Sequence, residues 1–571
     1  MKEGYKEAKT YKGFEKWFHE LQMSFKMHVY TFMIVLLIHL LIPAVYMILF
    51  QTKLLGTVIQ VFTGFYVQLW PKALEVLLRK GFWIFLLASP VWLLYPMLLT
   101  KFKLKAKAIT RDEHMRGQRI VEPAELISQI RRDHPNEPVT FNIGKIPIPK
   151  RYETTHFFIV GKSGSGKTTM LNQVIEKIRQ KNHKAIIYDT KGDYIAKFFD
   201  PQKDLIFNPL DSRTLHWNIF DELYLVSDIE SFAFSLIPPV PSGHEDEYFI
   251  TGAREVFYSI MYYLYATNQR TMSALWQTVS QGEAGVIETL KQAVNKYKLD
   301  DCKRGLGLLE GYEKGVKSAS DIISTMKKYS NCFKYVEHHQ SSFKIQDWLN
   351  KQDGGFLFLV NYDKIKNVLK PLASVLLEQL GNAALTLPDN RERRLFFVLD
   401  EFASLQRMPK FVDFLERGRS KGISLWIATQ DINQLEKEYG NRTMNTIVNN
   451  CTTTVAFAVQ DVNTCDYLSK FFGDREILET DESLSMGPAD LRDGLSLTRR
   501  RKTDRLILPS EFALLPVFHF YIKIGEYPIS KSRIDLKIYP DTQPSYIPDE
   551  NRFRIATVSE QSEQAQEQVI K

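Results

Sequence analysis

Residues 161–168 read GKSGSGKT, and this segment constrains the fold of the chain more than any other. An apolar, strand-like run at 156–160 precedes it, and the apolar residues within 170–178 recur at helical spacing. Because its three glycines lack Cβ atoms, such a loop can turn its backbone N–H groups around a phosphate, while the following helix N-terminus adds its positive dipole end. The motif therefore predicts a nucleotide-binding loop between a strand and a helix.

Each residue of this loop has an expected role. Lys167 would reach the β- and γ-phosphate oxygens, and the Thr168 hydroxyl would ligate Mg²⁺. The expected cofactors are therefore ATP and Mg²⁺. The residues expected to bind the nucleotide are Gly161, Lys162, Ser163, Gly164, Ser165, Gly166, Lys167, Thr168 and Thr169.

Length and composition place the chain among globular proteins with several domains. Its 571 residues exceed what one compact core holds, so we expect roughly two to four structural units. A formal charge of +8 permits a polyanionic partner without requiring one. The cysteines form no CxxC pair and have no histidine at ligand spacing, which favours reduced thiols over a zinc site or a disulfide framework. They are Cys302, Cys332, Cys451 and Cys465.

Two stretches among the first hundred residues predict membrane spans. Residues 29–50 and 81–100 contain no Asp, Glu, Lys or Arg, and each is long enough to cross the hydrocarbon core as a helix. Pro43 interrupts the first stretch, but proline is tolerated in such helices. The polar lead of 28 residues and the long apolar core argue against a cleavable signal peptide.

Basic residues indicate the orientation of these spans. Five lysines and arginines lie between 101 and 111, which marks the end of the second span as cytoplasmic. Because ATP is a cytosolic reagent, we expect a hairpin with both termini in the cytoplasm. The apolar stretch 54–70 leaves two readings open, a third span or an interfacial amphipathic loop.

Short apolar runs recur downstream of a basic connector and predict a mostly parallel β-sheet. Helical patterns separate most of these runs, which is typical of an α/β fold with helices on both faces of the sheet. The predicted strands are 157–160, 185–188, 205–207, 356–360, 395–399, 424–428 and 453–457.

The strand signal disappears between residues 223 and 349, where helical periodicity replaces it. We interpret this block as an all-helical domain inserted into the α/β domain, and the Glu-, Gln- and Ser-rich end as a flexible tail. The predicted division is 1–28 cytoplasmic segment, 29–100 transmembrane hairpin with a short periplasmic loop, 101–150 basic connector, 151–222 first part of the nucleotide-binding domain, 223–349 helical insertion, 350–545 second part of the nucleotide-binding domain and 546–571 tail.

A second nucleotide motif, LFFVLDE, occupies residues 395–401. Its apolar residues form a strand that delivers Asp400 and Glu401 at its C-terminal end, where open α/β sheets bind ligands. Asp400 would hold Mg²⁺ through water, and Glu401 would orient or deprotonate the attacking water. An apolar strand that ends in two acids is commonly structural, but after an independently identified phosphate loop it is the expected partner of that loop.

Two further residues are candidates for the chemistry. Gln430 ends a strand-like run at 422–430, where it could sense the γ-phosphate through the attacking water, with a strand-end cap as the alternative. Arg419 lies in ERGRSKG, in a turn expected to face a neighbouring subunit as an arginine finger supplied in trans. Arg417 and Lys421 are rivals for that role, and a solvated basic turn is the alternative for all three.

This set of motifs resembles a known family. The loop at 161–168, YDTKGDY at 188–194, LFFVLDE at 395–401, the ATQ that ends in Gln430 and the two-span pattern are together similar to the type IV coupling proteins of conjugation systems, the TraD class. YDTKGDY is the most specific element and is similar to the family's DPKG segment, although Thr190 stands where proline is usual. The resemblance covers nearly the whole chain.

The resemblance implies a RecA-like P-loop ATPase with a mostly parallel sheet, an inserted all-helical domain and an N-terminal two-helix transmembrane hairpin. The insertion around 253–330 resembles the family's all-alpha domain, which is implicated in receiving DNA or substrate. The implied roles are nucleotide binding for Lys167 and Thr168, the Walker B pair for Asp400 and Glu401, the finger for Arg419 and the sensor for Gln430.

The resemblance also implies partners. Proteins of this family are hexameric rings in the inner membrane that receive a relaxase bound to single-stranded DNA and feed it to a type IV secretion channel. A hexamer multiplies each basic contact to the phosphate backbone sixfold, which makes a charge of +8 compatible with DNA translocation. The basic run 499–502 could face such a pore, and a solvated charge run is an equal alternative.

Three other functions compete with this interpretation. A chromosome-segregation type double-strand DNA pump would carry more membrane spans and a winged-helix DNA reader, which the sequence does not reveal. A coupling ATPase for protein effectors would use the same ring and the same hydrolysis machinery. A membrane scaffold without ATP turnover is disfavoured by the presence of Lys167, both acids and a candidate finger.

Overall fold

The structure of the protein is a computed structural model that describes residues 14–50, 83, 86, 88–109, 113–139, 141–240, 247–310, 317–336, 343–351, 353–362, 366–485 and 494–549. By its internal contacts the chain divides into two compact units. The first comprises 1–117 with 474–504, and the second comprises 118–473 with 505–571. All candidate site residues of the two nucleotide motifs belong to the second unit.

A ten-stranded mixed sheet lies at the centre of the second unit. In chain order the strands of the described residues are β1 Glu113–Gly117, β2 Ile120–Val121, β3 Phe141–Ile143, β4 Ile146–Ile148, β5 Phe157–Val160, β6 Lys184–Asp189, β7 Leu205–Phe207, β8 Phe356–Val360, β9 Leu395–Leu399, β10 Ile423–Thr429, β11 Thr453–Ala456, β12 Asp474–Ser485, β13 Gly494–Arg505, β14 His519–Ile524 and β15 Ile529–Arg533. The large sheet has the order β2-β15-β14-β11-β5-β10-β9-β6-β8-β7. The strands from β11 to β7 run parallel, whereas β14 is antiparallel to both of its neighbours.

The seven strands predicted from apolar runs are all confirmed, with bounds that differ by at most one residue at either end. Every residue of β5, β9 and β10 is buried. Strands covered on both faces need apolar side chains at every position, which is why they read as continuous runs rather than alternating patterns.

Helices cover both faces of the sheet. Alternate residues of β5 belong to two separate apolar clusters, with Phe157 and Ile159 in one and Phe158 and Val160 in the other. The first cluster is completed by the helices Pro123–Asp133, Lys167–Gln180 and Asp193–Phe198, and the second by Lys366–Thr386, Phe411–Arg417, Ile432–Tyr439, Asn441–Asn449, Val462–Phe472 and Pro509–Ala513.

Between β7 and β8 the described chain contains helices and loops but no strand other than isolated bridges. The helix Glu247–Ala266 packs against several of the others, and Gly252 permits one close approach because a Cβ there would lie 2.9 Å from the Ile322 side chain. The four cysteines of the chain are all buried and unpaired. The helices of this stretch are Val226–Leu236, Glu247–Ala266, Met272–Ser280, Glu283–Asn295, Lys303–Leu309, Lys317–Ser330 and Ile345–Asn350.

The first unit contains the helices Phe14–Phe50 and Leu94–Ile109 and the sheet β1-β12-β13. His28 Nδ1 lies 2.6 Å from the Tyr95 hydroxyl, and His39 Nδ1 lies 3.2 Å from the Ala88 carbonyl oxygen. His39 follows His28 in the chain, but its partner Ala88 precedes Tyr95, the partner of His28. The two segments therefore pack antiparallel.

Among the described residues, one helix is long and apolar enough to cross a membrane, through its stretch Ser24–Ile42. The second predicted span, 81–100, is not one uninterrupted α-helix, because the 3-10 helix Ser89–Leu93 occupies its centre. Pro90 lacks the N–H that an α-helix interior would use, which accounts for the break. The stretch 54–70 lies outside the described residues.

Candidate nucleotide-binding site

The phosphate loop joins β5 to the helix Lys167–Gln180 at the carboxyl edge of the sheet. Gly164 and Gly166 have φ angles of 74° and 121°, which side chains with a Cβ rarely adopt. At Gly161 the constraint is space, because a Cβ there would lie 2.6 Å from the Cβ of Phe457. The glycines of the motif are therefore required by the local backbone and packing.

Neighbouring strands hold the loop in place. The Gly161 N–H donates to the Thr429 carbonyl at 3.2 Å, and the Lys162 N–H donates to the Ala458 carbonyl at 2.8 Å. Thr429 ends β10 and Ala458 follows β11, so the two strands that flank β5 both anchor its loop. Lys162, Thr168 and Thr169 are half-buried, whereas Ser163 and Gly164 are exposed.

Lys167 is folded back onto this loop. Its Nζ donates to the carbonyl of Gly161 and, at 3.1 Å, to that of Thr429. Burial lowers the pKa of Lys167, and the negative charges of Glu401 and Asp400 oppose that change. A buried ammonium is costly unless it is fully compensated, and a phosphate held by the loop would supply the missing negative charge.

The acids of LFFVLDE follow β9, which is separated from β5 by β10 alone. Burial raises the pKa of Asp400 to about 6, although the nearby Lys167 ammonium lowers it. Burial also raises the pKa of Glu401, against the effects of Lys167 and of the nearby Gln430. The structure thus brings Lys167, both acids and Gln430 to one place at the edge of the sheet.

Gln430 follows β10 directly, between the phosphate-loop strand and the strand of the two acids. It is exposed, and its backbone and side chain lie close enough to the Glu401 carboxylate to lower the pKa of that acid. The Oε1 atom of Glu401 is buried without a hydrogen-bond partner in the described part of the chain. Gln430 thus lies beside this carboxylate, whose Oε1 atom can accept a hydrogen bond from a bound water.

YDTKGDY contributes to the site, although sequence reasoning gave it no chemical role. Asp189 ends β6, and its carboxylate accepts the backbone N–H groups of Lys191, Gly192 and Tyr194 at 2.9, 2.9 and 2.8 Å. Burial raises the pKa of Asp189 to about 6 against these N–H donors. The turn places the Tyr194 hydroxyl next to Asp400. The available signal was an acid at the end of a buried strand, followed three residues later by glycine.

Arg419 lies in the 3-10 turn Gly418–Lys421, immediately before β10. Gln430 lies at the other end of the same strand, so Arg419 is at the edge of the sheet opposite to its own phosphate loop. Seven strand residues separate the two edges, a distance of roughly 20 Å. The Arg419 side chain is exposed, and no ion pair holds it among the residues that the structure describes.

The two rivals of Arg419 are engaged differently. Lys421 forms an ion pair with Asp389 at 2.7 Å. Arg417 lines a cavity of about 500 Å³, whose other walls come from the helices Val226–Leu236 and Lys366–Thr386. Arg417 is exposed, as Arg419 is, whereas Lys421 is half-buried.

The site residues fit a magnesium nucleotide. Ser165 Oγ is buried in the loop without a hydrogen-bond partner, as is Glu401 Oε1. In the described ranges no group of three or more His, Cys, Asp or Glu residues could form a metal cage. A Mg²⁺ ion would instead take Thr168, Asp400 and phosphate oxygens, which matches its preference for few protein ligands.

The segment after Glu401 is tied to the helix Val226–Leu236. Gln406 is buried, and its Nε2 donates to the carbonyls of Ser235 and Leu236 at 2.9 and 3.1 Å. These carbonyls lie in the last turn of that helix, where backbone acceptors have no partner within the helix. Gln406 therefore joins the acid-bearing segment to the helical stretch between β7 and β8.

Two further contacts strengthen this connection. The Lys410 Nζ donates to Ser231 Oγ in the same helix at 2.7 Å. Nearer the acids, Ser404 Oγ donates to the Glu401 carbonyl at 2.7 Å and lies 2.8 Å from the Tyr188 hydroxyl. No sequence motif marks these residues, and only the tertiary contacts reveal them.

The phosphate loop, the two acids and the central parallel strands define a P-loop α/β protein of the nucleotide-binding class. A family model described as type IV secretion-system coupling protein DNA-binding domain matches residues 140–537. The match covers most of the chain, and the chain belongs to this family.

Individual relatives agree with this assignment. Coupling protein TraD of Escherichia coli K12 is 26% identical over 453 residues, which cover 78% of this chain and 61% of TraD. The chain thus spans about three-fifths of the length of that curated relative.

Solved structures share the fold. The bacterial conjugative coupling protein TrwBΔN70 in its unbound form has a TM-score of 0.65 at 24% identity, covering 76% of this chain and 97% of TrwB. TrwB in complex with ADP and Mg²⁺ has a TM-score of 0.63 at 24% identity, covering 76% of this chain and 96% of TrwB.

Proposed function

We propose that this protein is a membrane-anchored, ATP-driven motor that delivers relaxase-bound single-stranded DNA to a type IV secretion channel during conjugation. Membership of the coupling-protein family supports this role. The observation that carries the enzymatic part is the convergence of the buried Lys167 and Glu401 with the half-buried Asp400 at one edge of the sheet. The likeness to TraD and TrwB supports conjugation as the process.

The nucleotide would be held by the backbone N–H groups of residues 161–169 and by Lys167. Thr168 and Asp400 would hold the Mg²⁺ ion. The complex of TrwB with ADP and Mg²⁺ supports this assignment, because the same fold carries both ligands there. Bound ATP supplies the phosphoanhydride bond whose hydrolysis drives the motor.

Glu401 would act on the attacking water. Burial makes its carboxylate a stronger base by raising its pKa, and Gln430 lies beside it. Its unpartnered Oε1 is available to accept a hydrogen bond from that water. Gln430, which contacts this carboxylate, would report the state of the γ-phosphate to it.

Two substitutions test this assignment of roles. Lys167→Ala should abolish nucleotide binding or turnover, because it removes the buried ammonium. Glu401→Gln should bind ATP normally and lose turnover by about 10²- to 10⁴-fold, because it keeps the phosphate cradle and removes the base. ATP binding and phosphate release are measured on the same preparations. Glu392→Gln is the matched control, since Glu392 forms an exposed ion pair with Lys150 away from these residues.

The assignment requires that Lys167→Ala acts on ATP binding and that Glu401→Gln acts on hydrolysis alone. Wild-type turnover in Glu401→Gln would remove Glu401 from catalysis, and normal ATP affinity in Lys167→Ala would remove Lys167 from the binding site. Loss of turnover in Glu392→Gln would show that the assay reports general damage.

We also propose that 29–100 forms a two-helix hairpin in the inner membrane, with both termini in the cytoplasm. The apolar stretch Ser24–Ile42 supports the first span. The antiparallel contacts of His28 and His39 with Tyr95 and Ala88 support a second segment beside it.

Reporter fusions test this topology. A reporter active only in the cytoplasm should work at both termini, and a periplasmic reporter should work near Gly64. If the cytoplasmic reporter were inactive at the N-terminus, the two-helix hairpin would be refuted, and 54–70 would also have to span the membrane.

A homo-hexameric ring with Arg419 as a finger is the proposed assembly. The position of Arg419 at the edge opposite to its own phosphate loop supports a role in trans, because within one chain the two are separated by the full length of β10. An exposed arginine without an ion pair among the described residues is free to reach a neighbour's γ-phosphate.

The proposed domains are those predicted from the sequence: 1–28, 29–100, 101–150, 151–222, 223–349, 350–545 and 546–571. The helices between Val226–Leu236 and Ile345–Asn350 support the insertion at 223–349. Residues 546–549 pack against the loop at 210–212, since the Ser212 N–H donates to the Ile547 carbonyl at 2.9 Å. The predicted tail 546–571 therefore begins with residues that pack on the nucleotide-binding domain, and 550–571 lies outside the described residues.

A binding experiment distinguishes DNA cargo from protein cargo. Full-length protein in detergent should bind single-stranded DNA without strong sequence preference, and the DNA should stimulate ATP hydrolysis. If the protein hydrolysed ATP but did not bind DNA at low salt, the DNA motor would be refuted in favour of a receptor for protein effectors.

A further inference from the structure

The loop that leads into β14 reaches the phosphate loop. Because β14 is antiparallel to β11, and β11 is parallel to β5, β14 begins at the edge of the sheet where β5 ends. The Phe518 N–H donates to the Ser165 carbonyl at 2.9 Å, and the Phe518 carbonyl accepts the Ile534 N–H at 2.8 Å. Phe518 is thus fixed against the candidate nucleotide site from both sides of its backbone.

The backbone of Phe518 is strained. Its φ angle is 65°, a region that is unfavourable for a bulky side chain. Such strain persists only where the surrounding structure imposes it, and it concentrates at functional sites. A Cβ on Gly166 would lie 3.1 Å from Phe518 Cδ1, so the strained conformation places the aromatic ring against the last glycine of the phosphate loop.

The Phe518 ring is also accessible. Phe457, which also lies next to Gly161 and Gly166, is fully buried, whereas Phe518 is half-buried. Its loop neighbours Leu514 and Val517 are 80% and 53% exposed. An apolar, partly aromatic surface therefore borders the site that holds the phosphates.

We propose that Phe518 is the platform on which the base of the bound nucleotide stacks. This inference rests on the proposed function, that the site binds ATP. Nucleobases stack on aromatic rings whatever their hydrogen-bonding edges, because every base presents a π-face. A stacking platform therefore adds affinity for the nucleoside part without selecting adenine over guanine.

The test compares ligands with and without a base on full-length protein in detergent. ATP, GTP and inorganic tripolyphosphate are titrated with Mg²⁺ into the wild type, Phe518→Leu and Phe518→Tyr. Phe518→Leu keeps apolar volume against Gly166 but removes the ring, and Phe518→Tyr keeps the ring. We expect Phe518→Leu to weaken ATP and GTP by about tenfold and to leave tripolyphosphate unchanged, while Phe518→Tyr retains all three affinities.

A spectroscopic measurement on the wild type is independent of variant folding. The fluorescence of 2-aminopurine riboside triphosphate should be quenched on binding, as it is when the base stacks. If Phe518→Leu weakened the affinities for ATP and tripolyphosphate equally, Phe518 would only stabilise the phosphate loop and would not stack on the base. Binding of the 2-aminopurine nucleotide without quenching would also refute the stacking platform. If the wild type bound tripolyphosphate as tightly as ATP, the stacking platform would be refuted, but the phosphate-binding site would still be supported. If it bound neither ligand, the proposed function itself would be refuted.

Discussion

Protonation of His156 should destabilise the nucleotide-binding domain as the pH falls. His156 lies just before β5, is 2% exposed and has a φ of 61°. The Leu425 N–H donates to its Nδ1 at 3.2 Å, so the ring proton belongs on Nε2, which donates to the Leu415 carbonyl at 2.8 Å. The neutral ring satisfies both contacts, whereas a second proton on Nδ1 would oppose the Leu425 N–H.

The magnitude follows from the pKa of His156. Burial lowers this pKa from 6.5 to about 4, with the charge of Arg419 acting in the same direction and the bond to Leu415 against it. Because the pKa is lower in the folded state, the unfolded chain binds the proton first, and stability present above pH 6.5 is lost as the pH falls toward 4. At about 1.4 kcal/mol per pKa unit, the loss is about 2 kcal/mol by pH 5 and about 3 kcal/mol by pH 4.

His156→Asn isolates this effect. Asparagine tolerates a positive φ and does not titrate in this range. The thermal unfolding of the domain is followed between pH 7.5 and pH 4.5 in the wild type and the variant, with His519→Asn as a control at a half-exposed histidine. The variant should be less stable at pH 7.5 and should lose less stability on acidification. His183, whose pKa burial also lowers to about 4, contributes equally to both proteins and cancels in the comparison. Parallel pH curves for the two proteins would refute the reasoning.

Three further predictions concern the motor. Arg419→Ala and Glu401→Gln, each inactive alone, should regain turnover when the two proteins are mixed. In rings mixed at 1:1, about a quarter of the interfaces would pair an intact arginine with an intact glutamate. Rings shown to be mixed but inactive would argue against a finger in trans. Gln406→Leu leaves two buried carbonyls unpaired, so the melting temperature should fall. Stimulation of the ATPase by DNA should drop severalfold while the affinity for ATP is kept, and unchanged stimulation would contradict the proposed coupling through Gln406. Affinity for single-stranded DNA should fall at least about tenfold between 50 and 200 mM salt, and a flat salt dependence in filter binding would exclude phosphate contacts as its source.

The strands that sequence reasoning found are those with the strongest physical signal. β9 and β10 are buried at every position, so their sequences are unbroken apolar runs. β14 and β15 were missed because HFYIKI and ISKSR mix apolar with charged or polar residues. β12 and β13 were missed for a related reason, since DREILETDESLS and GLSLTRRRKTDR are rich in charge and resemble solvated segments.

The candidate site divides in the same way. The proximity of Lys167 to Asp400 and Glu401 could be predicted, because parallel strands that carry the two motifs end at one edge of the sheet. The turn built by Asp189 and the strained backbone of Phe518 could not, because both depend on contacts made only in the folded chain. The chemical roles of the site residues remain predictions.

The contacts of Gln406 explain how hydrolysis could be coupled to work. Glu401 and Gln406 are only five residues apart, and Ser404 between them is bonded back to the Glu401 carbonyl. The same short segment is fixed at Gln406 to the end of the helix Val226–Leu236. A rearrangement of Glu401 around the γ-phosphate therefore cannot be absorbed locally without breaking buried hydrogen bonds, each of which is costly to leave unmade. Since packed interiors move as rigid bodies rather than deform continuously, we expect the displacement to pass to that helix and through it to the helical insertion.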